Sequence, residues 1–208
     1  MVFPARCPIC GAAGAAPCPS CWRRLRPAPP AAPPEGVVAC WSLLAYEGAG
    51  RELLARLKYR NARSAVGWLA DGMAALVPPG GTRDAIDLVT WAPTTDARRR
   101  RRGFDQAEVL ARAVARRLAI PCRPLLVRQP GPAQTGRSRE QRRQGPRYLP
   151  RWSAGSSGAG VLVVDDVITS GETLASAAVA LTGAGATRVV AVTAGRTPLK
   201  VRDASADA

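Results

Sequence analysis

The residues best suited to chemistry lie together at 161–174, Val-Leu-Val-Val-Asp-Asp-Val-Ile-Thr-Ser-Gly-Glu-Thr-Leu. The four apolar residues Val161 to Val164 read as a strand covered on both faces. Thr169-Ser170-Gly171 then turns the chain into a helix whose apolar Leu174, Ala177, Ala178 and Leu181 recur at i, i+3, i+4 and i+7. The start of such a helix presents unpaired N–H groups and a positive dipole end, which suit an anion. Asp165 and Asp166, just ahead of that anion site, add acceptors for hydroxyls. A ribose 5-phosphate answers both requirements. The bland alternative is a strand–turn–helix with solvated acids at the strand end and Ser170 as helix N-cap.

A second group runs from Trp91-Ala92-Pro93-Thr94-Thr95-Asp96 through Arg98 to Arg102 into Gly103-Phe104-Asp105-Gln106. It reads as a buried strand that opens into a highly basic loop and then into a helix. Five consecutive arginines cannot all face one ligand. Those pointing inward could hold a leaving pyrophosphate through paired hydrogen bonds, the others being solvated. A wholly solvated charge run remains the alternative.

The third group is Cys7-Pro8-Ile9-Cys10 and Cys18-Pro19-Ser20-Cys21, two C-x-x-C knuckles separated by seven residues. Four thiolates at this spacing make a tetrahedral zinc site, with Gly11 and Gly14 letting the chain fold back. Disulfides are the alternative, which a cytoplasmic setting disfavours. A segment with so few apolar residues would depend on the metal to fold. Cys40 and Cys122 stand alone and read as core thiols.

The elements that must position these groups follow the hydrophobic periodicity. Strands are expected over Val38–Tyr46, Ile86–Trp91, Val161–Val164 and Arg188–Ala194. Helices are expected over Arg51–Tyr59 and Ala65–Val77, and over the stripe Ala107, Leu110, Ala111, Val114 and Leu118. Alternating strands and helices imply a mainly parallel sheet with right-handed crossovers, whose ligands bind beyond the strand carboxyl ends, where Asp165 would sit. Gln129 to Gly160 fits no element and reads as a long functional or disordered loop. Four regions result: a zinc ribbon over 1–26, a proline-rich linker over 27–36, the main domain over 37–197 and a polar tail over 198–208.

The chain has 208 residues and a net charge of +15. Residues 98–151 hold sixteen arginines and three acids (Asp105, Glu108, Glu140), or +13, so the rest of the chain carries only +2. Coding bias accounts for 28 arginines against two lysines, but not for that local excess over acids. It favours a polyanionic ligand, either a pyrophosphate or a nucleic acid backbone. No signal segment or spanning apolar run is present, so a cytoplasmic protein without membrane insertion is expected.

The 161–174 stretch resembles the phosphoribosyltransferase signature. Pro93, the basic run and Arg102-Gly103-Phe104-Asp105-Gln106-Ala107, with the cysteine knuckles, Gln134-Thr135-Gly136-Arg137-Ser138 and Arg142-Arg143, resemble the ComF family in the same order. Asp105 stands where that family has Asn, Arg137 where Leu is common and Gly145 where Asn is usual. The resemblance implies a type I phosphoribosyltransferase-like α/β fold with a small amino-terminal zinc ribbon. It implies that Asp165 and Asp166 hold the ribose hydroxyls of phosphoribosyl pyrophosphate and that Thr169, Ser170, Gly171 and Thr173 cradle its 5′-phosphate. Pro93, Thr94, Arg102, Gly103 and Gln106 would form the pyrophosphate loop, with Mg²⁺ accompanying the ligand. The implied biological role is in DNA uptake and natural transformation, with single-stranded DNA and a DNA-uptake helicase as partners. An active transferase and a non-catalytic sensor of the same ligand are the competing roles. There is no histidine, so no imidazole acts as general base.

Overall fold

The computed structural model describes residues 6–57, 64–79, 84–130, 146–151 and 157–198. Its centre is a parallel sheet in the order β1-β6-β5-β2, made of β1 (Cys40–Ala45), β6 (Arg188–Arg196), β5 (Gly160–Ile168) and β2 (Leu88–Trp91). Strand β5 lies inside the sheet with both faces covered, which is why it reads as an unbroken apolar run. Leu162 and Val164 join a core with α2 (Gly48–Arg56), α3 (Ser64–Leu76) and α5 (Gln106–Leu118). Val161 and Val163 face the other core, built with α6 (Glu172–Gly183).

Four expectations are corrected. Strand β5 does not stop at Val164 but continues to Ile168, with Asp165 opposite Thr193 and Ile168 opposite Arg196. The long β6 supplies partners all the way, so the acidic pair lies within the strand rather than beyond it. The arginine run is not a loop but a short helix, α4 (Asp96–Arg102). Thr95 caps it, its Oγ1 accepting from Arg98 N at 3.3 Å, and arginine is a good helix former. The segment 129–160 holds β4 (Tyr148–Pro150), which pairs antiparallel with β3 (Leu126–Arg128). Cys40 and Cys122 are half-buried rather than fully in the core. The 134–138 motif, Arg142, Arg143, Gly145, Trp152 and most of the tail lie outside the described residues.

The amino-terminal segment is tied to the sheet. Cys7, Ile9 and Cys21 enter the α2-side core, and Arg56 Nη1 donates to Pro8 O at 3.1 Å and Ile9 O at 2.8 Å. A four-residue helix, α1 (Pro19–Trp22), carries the second knuckle. Pro27 bridges Leu44, so the strap at 26–28 covers the β1 edge. On the opposite edge, Val89 N donates to Pro121 O and Arg123 N to Val89 O. Both sheet edges are therefore paired, which removes a route to aggregation.

Strand β5 opens at Gly160, where a Cβ would run into the Ala85 carbonyl, against which the backbone lies. Gly160→Ala should therefore cost about 1–3 kcal/mol, as other overpacking substitutions do. Chemical denaturation checks this; an unchanged midpoint would mean that the 85–86 segment yields freely.

Candidate functional site

Beyond Trp91 at the end of β2, and beside the acidic end of β5, lies a cavity of about 190 Å³. Its floor is Asp165 and Asp166. Asp165 is only 8% exposed. Its Oδ1 accepts from Asp166 N at 2.8 Å, and Asp166 Oδ1 accepts from Val167 N at 2.8 Å. Burial, with Asp166 alongside, pushes the Asp165 carboxyl well above the usual carboxylate range.

One side wall is built by the start of α5. Asp105 is the α5 N-cap: Oδ1 accepts from Ala107 N at 3.0 Å and Oδ2 from Thr94 N at 2.8 Å. One carboxylate thus starts the helix and fixes the Pro93-Thr94 segment as cavity lining. Burial raises its carboxyl above the ordinary value. Arg98 and Arg102, one helical turn apart on α4, reach the cavity, while Arg99, Arg100 and Arg101 are exposed and do not line it. Arg102 Nη1 donates to Gln106 Oε1 at 2.8 Å.

The structure brings Asp165, Asp166 and Thr173 into one cavity with Pro93, Thr94, Arg102 and Gln106. Four expected residues do not line it. Thr169 and Ser170 are exposed on the turn before α6. Gly171, not Ser170, is the α6 N-cap, at φ +86 where a Cβ would also press on Pro34 at 3.0 Å, so a side chain there is strained. Gly103 ends α4 in the left-handed conformation. Two lining residues escaped the sequence reading, Arg128 and Tyr148. They are register partners across β3 and β4, and no local pattern marks such a pairing between strands of three residues.

The knuckle cysteines form a second cluster. The Sγ atoms of Cys7, Cys10, Cys18 and Cys21 all lie within 4.8 Å of one another, with Cys10 and Cys18 at 3.6 Å. Tetrahedral zinc–thiolate bonds set sulfurs about 3.8 Å apart, so the four thiols fit the ion in donor type and spacing. The Ser20 hydroxyl pulls the Cys18 thiol down to about 6, while burial and the neighbouring thiols push Cys21 up to about 12.

Residues 105–207 match the family model for the phosphoribosyl transferase domain. A solved structure of the allosteric regulatory enzyme of purine biosynthesis is similar at 25% identity over 64% of this chain, with a TM-score of 0.43. This chain spans 26% of that enzyme's length. No curated protein sequence matches. The chain has the type I phosphoribosyltransferase fold, a parallel sheet flanked by helices, in which β5, the turn and α6 fall inside the matched stretch. Among the described residues no helix is long and apolar enough to cross a membrane.

Metal analysis of the purified chain should find about one zinc per molecule, and Cys7→Ser with Cys10→Ser should remove it. Unchanged zinc in that variant would exclude the cluster. Asp105→Ala should cost about 2 kcal/mol, through the lost cap and the stranded Thr94 N–H. Asp105→Asn keeps one of the two acceptors and turns an amide NH2 against the other backbone N–H. Because the folded-state carboxyl titrates above its unfolded value, its ionised form opposes folding at neutral pH, and that penalty fades as pH falls through the folded value. The deficit of Asn against Asp should thus be smallest at neutral pH and grow as pH falls, and denaturation across the acid range tests this.

Proposed function

We propose that the cavity binds phosphoribosyl pyrophosphate or a related ribose 5-phosphate. The observation supporting this is the division of one cavity between two carboxylates of β5 and a wall running from Thr94 through α4, with Arg98 and Arg102, to the start of α5. The ribose hydroxyls donate to Asp165 and Asp166. The 5′-phosphate reaches from the cavity at Thr173 out to the adjoining turn of Thr169, Ser170 and Gly171, where the N–H groups opening α6 suit an anion. The pyrophosphate lies against Pro93, Thr94, Arg102, Gly103 and Gln106. Mg²⁺ bound with the ligand would neutralise pyrophosphate charge, and the acidic pair would help to hold it. In an active enzyme a nucleophile attacks carbon 1 while the carbon–oxygen bond to pyrophosphate breaks, and the departing anion takes the electron pair. The guanidinium groups stabilise that developing charge.

Asp165→Ala with Asp166→Ala should lower affinity for phosphoribosyl pyrophosphate with Mg²⁺ by at least about a hundredfold while the chain stays folded. Undiminished binding in that variant would refute the assignment.

A second reading is a ComF-type accessory in DNA uptake or DNA processing, with single-stranded DNA and a helicase as partners. It is favoured by two exposed surfaces: Arg99 to Arg101 on α4, and Trp22, 56% exposed on α1 beside the exposed Arg23 and Arg24. Such surfaces bind strands through phosphates and stacking. Replacing Arg99, Arg100 and Arg101 by Ser should weaken single-stranded DNA binding and flatten its salt slope. A slope unaltered by the change would move the contact to the Trp22 face.

A further inference from the structure

We propose that the part of the cavity under the β3–β4 hairpin is a second subsite, in which Arg128 and Tyr148 hold the carboxylate of a pyridine-type acceptor. The inference rests on the phosphoribosyl pyrophosphate reading and supplies what that reading leaves open, the class of nucleophile.

The hairpin register decides which side chains reach the cavity. Arg128 and Tyr148 are paired and share a face, whereas the adjacent pair Val127 and Leu149 is 42% and 51% exposed on the other. Tyr148 is 8% exposed, its hydroxyl 3.5 Å from Pro93 O, at the limit of a hydrogen bond. Burial pushes its phenol well above the ordinary value, so it stays a neutral donor. Among the described residues no carboxylate lies within ion-pair distance of Arg128. Gln106, 4% exposed, spends Oε1 on Arg102 and leaves its buried Nε2 without a partner. Away from the acidic floor, these groups are all donors. A ligand that satisfies them presents oxygen acceptors, and a guanidinium beside a phenol suits a carboxylate.

The proton inventory narrows the acceptor further. There is no histidine, and both Asp105 oxygens are taken by backbone N–H groups. Asp165 and Asp166 belong to the ribose. The cavity therefore offers no spare base to deprotonate a nucleophile. A pyridine-type ring nitrogen has a lone pair and no proton to lose. Its lone pair forms the nitrogen–carbon 1 bond, the carbon–oxygen bond breaks, pyrophosphate leaves with that bond's electrons, and the ring becomes a pyridinium with no proton released.

The test uses the full chain. Phosphoribosyl pyrophosphate with Mg²⁺ is titrated first; nicotinate, quinolinate and nicotinamide are then titrated onto the complex, with pyrophosphate release followed. At least one of the two carboxylates should bind about tenfold or more tighter than the amide and release pyrophosphate. Arg128→Gln should abolish that preference with phosphoribosyl pyrophosphate still bound, and Arg128→Lys should restore part of it. Equal binding of acid and amide, neither acid binding the complex, or a preference that survives Arg128→Gln would overturn the proposal. Failure of the parent chain to bind phosphoribosyl pyrophosphate would sink the parent reading and take this one with it.

Discussion

The site depends on one costly placement, a carboxylate within a strand buried on both faces. Asp165 pairs with Thr193 of β6, one residue past the last β2 partner of its strand, at 8% exposure. Burying a carboxyl there is unfavourable unless hydrogen bonds or a partner offset it. The Asp166 N–H supplies one such bond, and the cavity supplies the outlet. The sheet must hold that strand rigidly, which explains the close backbone approach at Gly160 and the covered edges at Leu44 and Val89.

The second arrangement follows from the first. An acidic floor needs a wall of the opposite sign before it can accept a polyanion, and the chain builds that wall from two unlike elements. On α4, helical spacing turns Arg98 and Arg102 to one side and leaves the arginines between them to solvent. On the hairpin, strand alternation turns Arg128 inward and Val127 out. Asp105 ties the start of α5 to the segment ahead of α4, since one carboxylate caps α5 and anchors Thr94. A single substitution there would loosen both the helix start and the lining.

What could be read from the residues was what local physics decides. The run Val161 to Val164 announced a strand, because burial on both faces admits only apolar side chains. The C-x-x-C knuckles announced a thiol cluster by spacing alone, and the four sulfurs do converge. Where β5 ends was not legible, because Asp165 to Ile168 is held as strand by a partner more than twenty residues away. The arginine run looked like a loop since charge density hides the cap at Thr95. Tyr148-Leu149-Pro150 looked like nothing, being three residues long and closed by proline, yet its pairing with β3 brings Arg128 and Tyr148 to the cavity. Cavity residues delivered by register rather than by motif are invisible until the strands are paired.

The central claim is that a ribose 5-phosphate binds with its hydroxyls on the acidic pair in the cavity and its phosphate at the adjoining turn before α6. A crystal structure of the chain grown with phosphoribosyl pyrophosphate and Mg²⁺ tests it most directly. The account predicts ribose hydroxyls within hydrogen-bond distance of Asp165 and Asp166, the 5′-phosphate at 169–173 and the pyrophosphate against Arg102. Ligand density elsewhere on the chain, with the acidic pair untouched, would contradict it.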